Sequence, residues 1–441
     1  MRFLGPTSTP LLNEETGPMV RRALARARII GNFASVQVIV QLLGFASGIL
    51  LVRYLSQREY AYFTIANTMQ GTINVLADIG ISIGLISIGG RVWQDRARFG
   101  QLITTARHLR WKLCGVAVVI VTPILFLMLE RNGAPLAYSA ILITLTLAAL
   151  AAQISYGVYA VVPRLRSDIS RIQAIEFSGA LVRIVVLIGC AFLFLNSGVA
   201  LLVSAAAIFL QLALMRRYVA NVIDLHAPEN AEDRSAMVGF IKSQAANAIF
   251  FCVQGQITIF LISFFGTRTT AVAEIGALGR LAMIFAILGQ LLTNIFVPAF
   301  ARSQTSRRIR WQFAAIMAGV IAFGVVILSV AAFFPDQFLY VLGAKYAHLH
   351  REMFLMVAGT VANVIVATLW TLNAARAWIK GSWLYIPTTL ATQIALIPYT
   401  DFSSVVSLLI FNLLSTIPNL LVNLWLSYRG FRHLDHSPAT A

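Results

Sequence analysis

Twelve long apolar segments, separated by short gaps that are alternately rich and poor in Arg and Lys, constrain this chain more than any motif in it. A hydrocarbon core about 30 Å thick takes about 20 apolar residues to cross as a helix, and stretches such as 29–52, 113–129 and 311–334 reach the length needed. Backbone groups in hydrocarbon have no water to bond, so each segment must be helical. The segments fall near 29–52, 61–90, 113–129, 135–162, 174–195, 198–215, 244–265, 272–301, 311–334, 353–375, 383–400 and 402–427. The expected fold class is therefore an all-α integral membrane protein of about 12 transmembrane helices.

Charge sets the orientation. With a cytoplasmic N-terminus, the inside gaps hold about 26 Arg and Lys residues, including Arg21, Arg22, Arg26 and Arg28, clusters at 91–112 and 302–310, and Arg429. The outside gaps hold about 6: Arg53, Arg58, Arg131, Arg268, Lys345 and Arg351. This asymmetry follows the positive-inside rule, with both termini inside. The formal charge of +17 is then mostly topology. The cations are spread over cytoplasmic gaps interrupted by spans, unlike the contiguous basic face of a nucleic-acid-binding protein, so no nucleic-acid partner is expected. Membrane lipids are the expected partners of the arginines at 21–28.

Cys114, Cys190 and Cys252 lie inside apolar segments without metal-ligand spacing and read as small core residues. No cofactor or metal is expected. His348 and His350 have the spacing of a clip but lack further ligands.

The longest hydrophilic stretch divides the chain into a cytoplasmic segment over 1–28, a six-helix half over 29–220, a linker over 221–243, a second half over 244–427 and a cytoplasmic tail over 428–441. A faint echo between 49–91 and 259–302 agrees with the internal repeats of transporters, whose sites lie between repeats.

Two cations fall inside spans: Arg183 in the fifth and Arg280 in the eighth. A charge at that depth is costly, by about 2.5–3.5 kcal/mol on insertion scales, and faces a cavity or a partner. Glu176 is seven residues from Arg183 and Glu274 six from Arg280, whereas side chains on one helix pair at three or four. A structural partner would have to come from another helix, Asp78 being the candidate. The alternative is contact with an anionic substrate. Asn67, Gly71, Asn74 and Asp78 share one face of the second span, Gln244, Asn247, Gln254 and Thr258 mark the seventh, and Asn412, Thr416, Asn419 and Asn423 the twelfth. Such amides glue helices together or line a hydrated lumen. Asp78 is also a candidate for ion coupling, as a buried carboxylate. The small residues Gly44 and Gly48 have the spacing of a close helix contact.

The run LVRYLSQREYAYF (51–63) with LADIG (76–80), and EIGALGRL (274–281) with PAFAR (298–302), resemble helices of the bacterial polysaccharide-biosynthesis flippases. These belong to the multidrug/oligosaccharidyl-lipid/polysaccharide (MOP) exporter superfamily. The resemblance implies two pseudo-symmetric six-helix bundles in a V around a cationic cavity. It also implies alternating-access transfer of an undecaprenyl-pyrophosphate-linked oligosaccharide, of O-antigen, capsule or exopolysaccharide type, across the inner membrane. A polysaccharide polymerase or chain-length regulator is the protein partner it points to. On that reading Arg183 and Arg280 meet the diphosphate, and Asn67, Asn74, Asn247, Gln254 and Asn419 the sugars. Two other readings stay open: a cation-coupled multidrug antiporter of the same superfamily, and a membrane-embedded glycan polymerase or ligase. The antiporter is expected to carry a carboxylate deep in the first or seventh span, and the enzyme a large outside loop.

Overall fold

Short polar caps punctuate the apolar runs, and they mark where several of the helices start. The computed structural model describes residues 18–436 apart from 167, 193, 267–268, 283–284, 286–288, 290–295, 302 and 304; the side chains of 18–35 are likewise outside the described set. The first part of the chain forms α1 (Pro18–Tyr54), α2 (Gln57–Ala77), α3 (Ile81–Val92), α4 (Arg96–Arg131), α5 (Leu136–Tyr159), α6 (Val161–Leu165), α7 (Ile169–Ala191) and α8 (Ser197–Val222). Then come α9 (Ala231–Phe265), α10 (Thr269–Leu281), α11 (Val297–Ala301), α12 (Ser306–Phe333), α13 (Pro335–Leu342), α14 (His350–Ala375), α15 (Tyr385–Leu396), α16 (Val405–Ser415) and α17 (Ile417–His436). No strand occurs among the described residues. Ser56 accepts the Glu59 amide at 3.2 Å, Asp95 the amides of Ala97 and Arg98 at 2.9 and 3.0 Å, and Asn196 that of Val199 at 2.9 Å. Each cap satisfies donors that a helix start leaves open.

Nine helices among the described residues are long and apolar enough to cross a membrane, and the bent pair α2–α3 makes ten. The chain is a multi-pass membrane protein. Large apolar side chains face outward along it, among them Val119 at 75% exposed, Phe192 at 75% and Phe333 at 79%. Hydrocarbon accepts such a surface; water would not. Of the twelve expected segments, 272–301 runs through residues outside the described set, and 383–400 holds the 12-residue α15 flanked by 3-10 turns.

Helices also outrun their apolar segments. α4 and α9 have 36 and 35 residues, about 50 Å of helix each, so their polar ends stand clear of the bilayer. α9 begins at Ala231 inside the expected linker 221–243, and α17 continues to His436 through the expected tail.

The single expected second span, 61–90, is two helices meeting at 46°. Gly80 sits at φ 71° in the bend, and a Cβ there would lie 2.7 Å from the Phe240 carbonyl of α9. Only glycine satisfies both the left-handed backbone and that approach.

One hydrophobic core joins both halves of the chain at the end that the charge asymmetry assigns to the outside, with Tyr60, Phe63, Leu129, Ala277, Leu342 and Tyr346 all buried in it. At the opposite, basic end the core divides: one cluster gathers around Phe99, Val162 and Met237, another around Phe300, Ile309 and Leu372. Polar bonds reinforce the joined end. Lys345 donates to the carbonyls of Arg53 and Leu55 at 2.9 and 2.7 Å, and Arg53 donates to that of Val341 at 3.0 Å while its guanidinium lies 5.4 Å from the Tyr340 ring. Within the first half, Glu59 accepts from Tyr138 and from the Ser197 amide, both at 2.8 Å, tying the starts of α2, α5 and α8 together. At the basic end the start of α9 is held by the first half. Arg98 of α4 meets Asp233 in a two-pronged pair whose second bond is 2.7 Å, and the charge-assisted bonds raise the Arg98 pKa above its ordinary value.

Candidate functional site

Arg183 projects from α7 into a cavity of about 550 Å³ enclosed by α1, α2, α5, α7 and α8. Gln41, Asn67, Gln70, Gln153, Glu176 and Gln211 supply most of its polar lining. Gln70 and Gln153 bond to each other at 2.8 Å. Gly179 leaves room for Gln211, since a Cβ there would lie 2.2 Å from its amide nitrogen. The Nε–H of Arg183 is buried and has no hydrogen-bond partner among the described residues. Among the described residues no carboxylate forms an ion pair with Arg183, and the charge felt there is the like charge of Arg280. Glu176, two helical turns away on the same helix, lines the same cavity without capping the guanidinium.

Arg280 arrives from α10, in the other half of the chain. It donates from Nε to the Tyr60 hydroxyl at 3.2 Å, and Tyr60 donates to the Gly276 carbonyl at 3.2 Å. Its side chain crosses α1 at Gly48, where an added Cβ would stand 3.1 Å from Cδ. This corrects the packing role expected for the two glycines. Gly48 makes space for a guanidinium rather than a helix backbone, and Gly44, with nothing within 4 Å of an added Cβ, borders the cavity. One arginine from each half thus converges beside the 44–48 stretch of α1, and their charges repel. A guanidinium in low dielectric without a carboxylate to cap it is stable only beside water or an anion.

Asp78 is not the partner of either arginine. At the end of α2 it lies 3.6 Å from Arg110 of α4 and accepts from the Ser82 hydroxyl at 2.8 Å. Arg110, expected from sequence in a cytoplasmic gap, is 5% exposed and also donates to Asn74 at 3.2 Å. Gly157 opposite provides the room: an added Cβ would stand 2.4 Å from Arg110 Nη1. Asp78 and Asn74 therefore brace the α2–α3 bend, and of the polar face on α2 only Asn67 and Gly71 reach the Arg183 cavity.

The amides of the second half gather elsewhere. A second cavity of about 300 Å³ is lined by Phe250, Phe251 and Gln254 of α9, Asn363 of α14, Thr389 of α15, and Asn412, Ser415, Thr416 and Asn419 of α16 and α17. Gln254 and Gln393 exchange amide bonds at 2.9 and 2.7 Å, and Asn412 donates to Thr258 at 2.8 Å. Asn247 accepts from Tyr385 at 3.2 Å and is not part of this lining. The seven polar residues singled out by sequence, with Asp78, are thus shared among two cavities, the arginine approach and two structural contacts. Glu176, Gln70, Gln153 and Gln211 joined the first cavity without a sequence signal beyond being polar within or beside a span. Of the two histidines, His350 pairs with Asp336 at 2.8 Å and His348 lies 3.8 Å from Glu274. No group of metal-ligating side chains occurs among the described residues.

No family model matches the sequence, and no curated protein matches it. Solved structures do match the fold. The lipid II flippase MurJ in an inward closed conformation superposes with a TM-score of 0.62 at 11% identity, covering 91% of each chain. A MOP superfamily transporter from Pyrococcus furiosus, whose binding pocket is described as of reverse polarity, gives 0.56 at 14% identity over 92% of this chain and 94% of that one. The eukaryotic MATE transporter AtDTX14 gives 0.54 at 13% identity over 91% and 94%. The chain has the fold that the MOP exporters share.

Proposed function

We propose that this protein moves a polyprenyl-diphosphate-linked oligosaccharide across the bacterial inner membrane by alternating access. The observation that carries the reading is the pair Arg183 and Arg280. They are cations from opposite halves, neither held by a carboxylate among the described residues, meeting beside a polar cavity inside the apolar shell. A diphosphate crossing hydrocarbon needs compensation of that kind, and a planar guanidinium meets phosphate oxygens with two parallel bonds. The repulsion between the arginines is relieved when an anion sits between them, which gives the loaded carrier a lower energy than the empty one. The joined core and the Arg53–Lys345 bonds at one end, against divided cores at the other, suit a carrier caught with its outer end shut. The fold likeness to MurJ, titled a lipid II flippase, supports a lipid-linked cargo.

The deciding experiment is reconstitution of the full chain into liposomes with a fluorescent undecaprenyl-diphosphate oligosaccharide, read by accessibility of the label to a quencher. Wild-type protein equilibrates the label across the bilayer, and Arg183→Ala and Arg280→Ala each slow it. Unchanged rates in both variants remove the reading.

Glu176 favours a second reading, a cation-coupled antiporter of the same fold. It supplies a carboxylate inside the first cavity, on the fifth span rather than the first or seventh. Proton-driven uptake of a cationic dye into the same liposomes, abolished by Glu176→Gln and indifferent to Arg183→Ala, would select it.

A further inference from the structure

The cavity of the second half has a chemistry of its own. None of its described lining residues carries a charge, yet most are hydrogen-bonding: one glutamine, three asparagines, two threonines and a serine surround it beside Phe250, Phe251 and Gly255. Phe251 is 48% exposed, and one face of its ring is backed by Tyr385, stacked at 5.3 Å with 28° between planes. Phe250 meets both rings edge-on, at 5.9 and 5.4 Å. The aromatic group is therefore rigid and presents ring surface to the cavity. Around it, hydrogen-bonding capacity is left over. The Thr389 hydroxyl is buried, with no hydrogen-bond partner among the described residues. The Asn419 oxygen accepts from Asn423 at 2.8 Å, and among the described residues its own N–H groups bond to nothing. Asn363 spends its amide nitrogen on the Gly359 carbonyl, which leaves its oxygen as an acceptor.

A carboxylate or phosphate in this cavity would lose its hydration with no cation to replace it. A cationic drug would meet no carboxylate. A lipid tail would strip water from amides and hydroxyls and give nothing back. What fits is a group with one apolar face to lie on an aromatic ring and a rim of hydroxyls that both donate and accept, which describes a pyranose. The volume, at the small end for ligand pockets, suits one or two rings.

We infer that the second-half cavity is a binding site for an uncharged sugar residue, stacked on Phe251 and bonded by Thr389 and Asn419, so that the carrier selects neutral glycans over glycans carrying a uronic acid at that position. The inference rests on the transport reading for the identity of the whole cargo, and divides the labour of recognition: charge in one half, hydroxyls in the other.

Two measurements test it. In detergent, the thermal transition of the full chain is followed with a panel of neutral disaccharides (maltose, lactose and diacetylchitobiose) and with a glucuronic-acid disaccharide. At least one neutral member raises the transition in wild-type protein, the uronate does not, and the rise is lost in Phe251→Ala and in Thr389→Val. The valine is isosteric and removes an unpartnered hydroxyl, so its unliganded transition stays at the wild-type temperature or above it. In liposomes, rates are compared for undecaprenyl diphosphate alone and for its neutral and uronate disaccharide conjugates. The neutral conjugate moves at least tenfold faster than the uronate one, and Phe251→Ala removes that preference, whereas Arg183→Ala slows all three. Protection by a neutral sugar with no transport of any lipid would overturn the transport reading and leave the cavity assignment standing. Transport of all three lipids at equal rates, with no sugar-specific protection, would overturn the cavity assignment and leave transport standing.

Discussion

The two halves of this molecule each enclose a polar cavity, and the cavities differ in kind. The first, of about 550 Å³, holds Arg183 and Glu176 among four glutamines and Asn67. The second, of about 300 Å³, holds amides, hydroxyls and aromatic rings with no charge in its described lining. The amides of the second are partly spent on one another, as in the reciprocal pair Gln254–Gln393. In the first, a guanidinium N–H is left unspent. The difference teaches that similar building material, polar side chains on apolar helices, does not give similar electrostatics: one cavity holds an arginine with no carboxylate partner among the described residues, the other has a lining of neutral groups.

Mutations can break this contrast at its strongest point first. Arg183→Ala should slow lipid-diphosphate translocation by about 10- to 100-fold, the worth of a charge-assisted bond of about 1.5–3 kcal/mol. It should also leave the thermal transition unchanged or raised, because it deletes a charge that no carboxylate among the described residues pairs with and that Arg280 repels. A fall in stability with intact transport would mean that the arginine is structural. Arg280→Ala should cost less, about tenfold or below, since part of its bonding is already taken by Tyr60. The same liposome assay measures it. At the basic end, far from both cavities, Asp233→Ala leaves Arg98 without its pair; a loss of about 1–3 kcal/mol in stability is expected, seen as a lower thermal transition with the rank order of substrates preserved. The smallest expected effects come from the glycines of α1. Gly48→Ala presses on the Arg280 side chain at 3.1 Å and should reduce the rate by a few-fold, an effect of about 1 kcal/mol or less. Gly44→Ala meets nothing within 4 Å and should fold as wild type. Equal effects of the two would undo the assignment of Gly48 to Arg280.

Much of the architecture was legible before any coordinates. Hydropathy finds the helices because burial in hydrocarbon demands a long apolar run whatever the neighbours are. Depth in a span likewise exposes Arg183 and Arg280 as abnormal. The grouping of the polar residues was not legible. Asn67, Asn74 and Asp78 share a helical face, yet Asn67 reaches the cavity while Asn74 and Asp78 are taken by Arg110, because the face fixes a direction and not what stands opposite. The burial of Arg110 was hidden for a related reason: α4 runs 36 residues, and charge spacing does not show which of its turns is enclosed by α2 and α5. Glu176, seven residues from Arg183 and so unable to pair with it along the helix, gave no sign in the sequence that it lines the same cavity.

By itself, then, the sequence determined that the chain crosses a membrane many times as helices and that two arginines fall inside its apolar segments, since both follow from the local cost of exposing backbone or charge to hydrocarbon. Tertiary packing alone decided which polar groups satisfy one another and which remain open. Only the positions of other helices settle whether a donor finds an acceptor within about 3 Å. That choice left Arg183 facing a cavity, gave Asp78 to Arg110, and made one cavity charged and the other neutral.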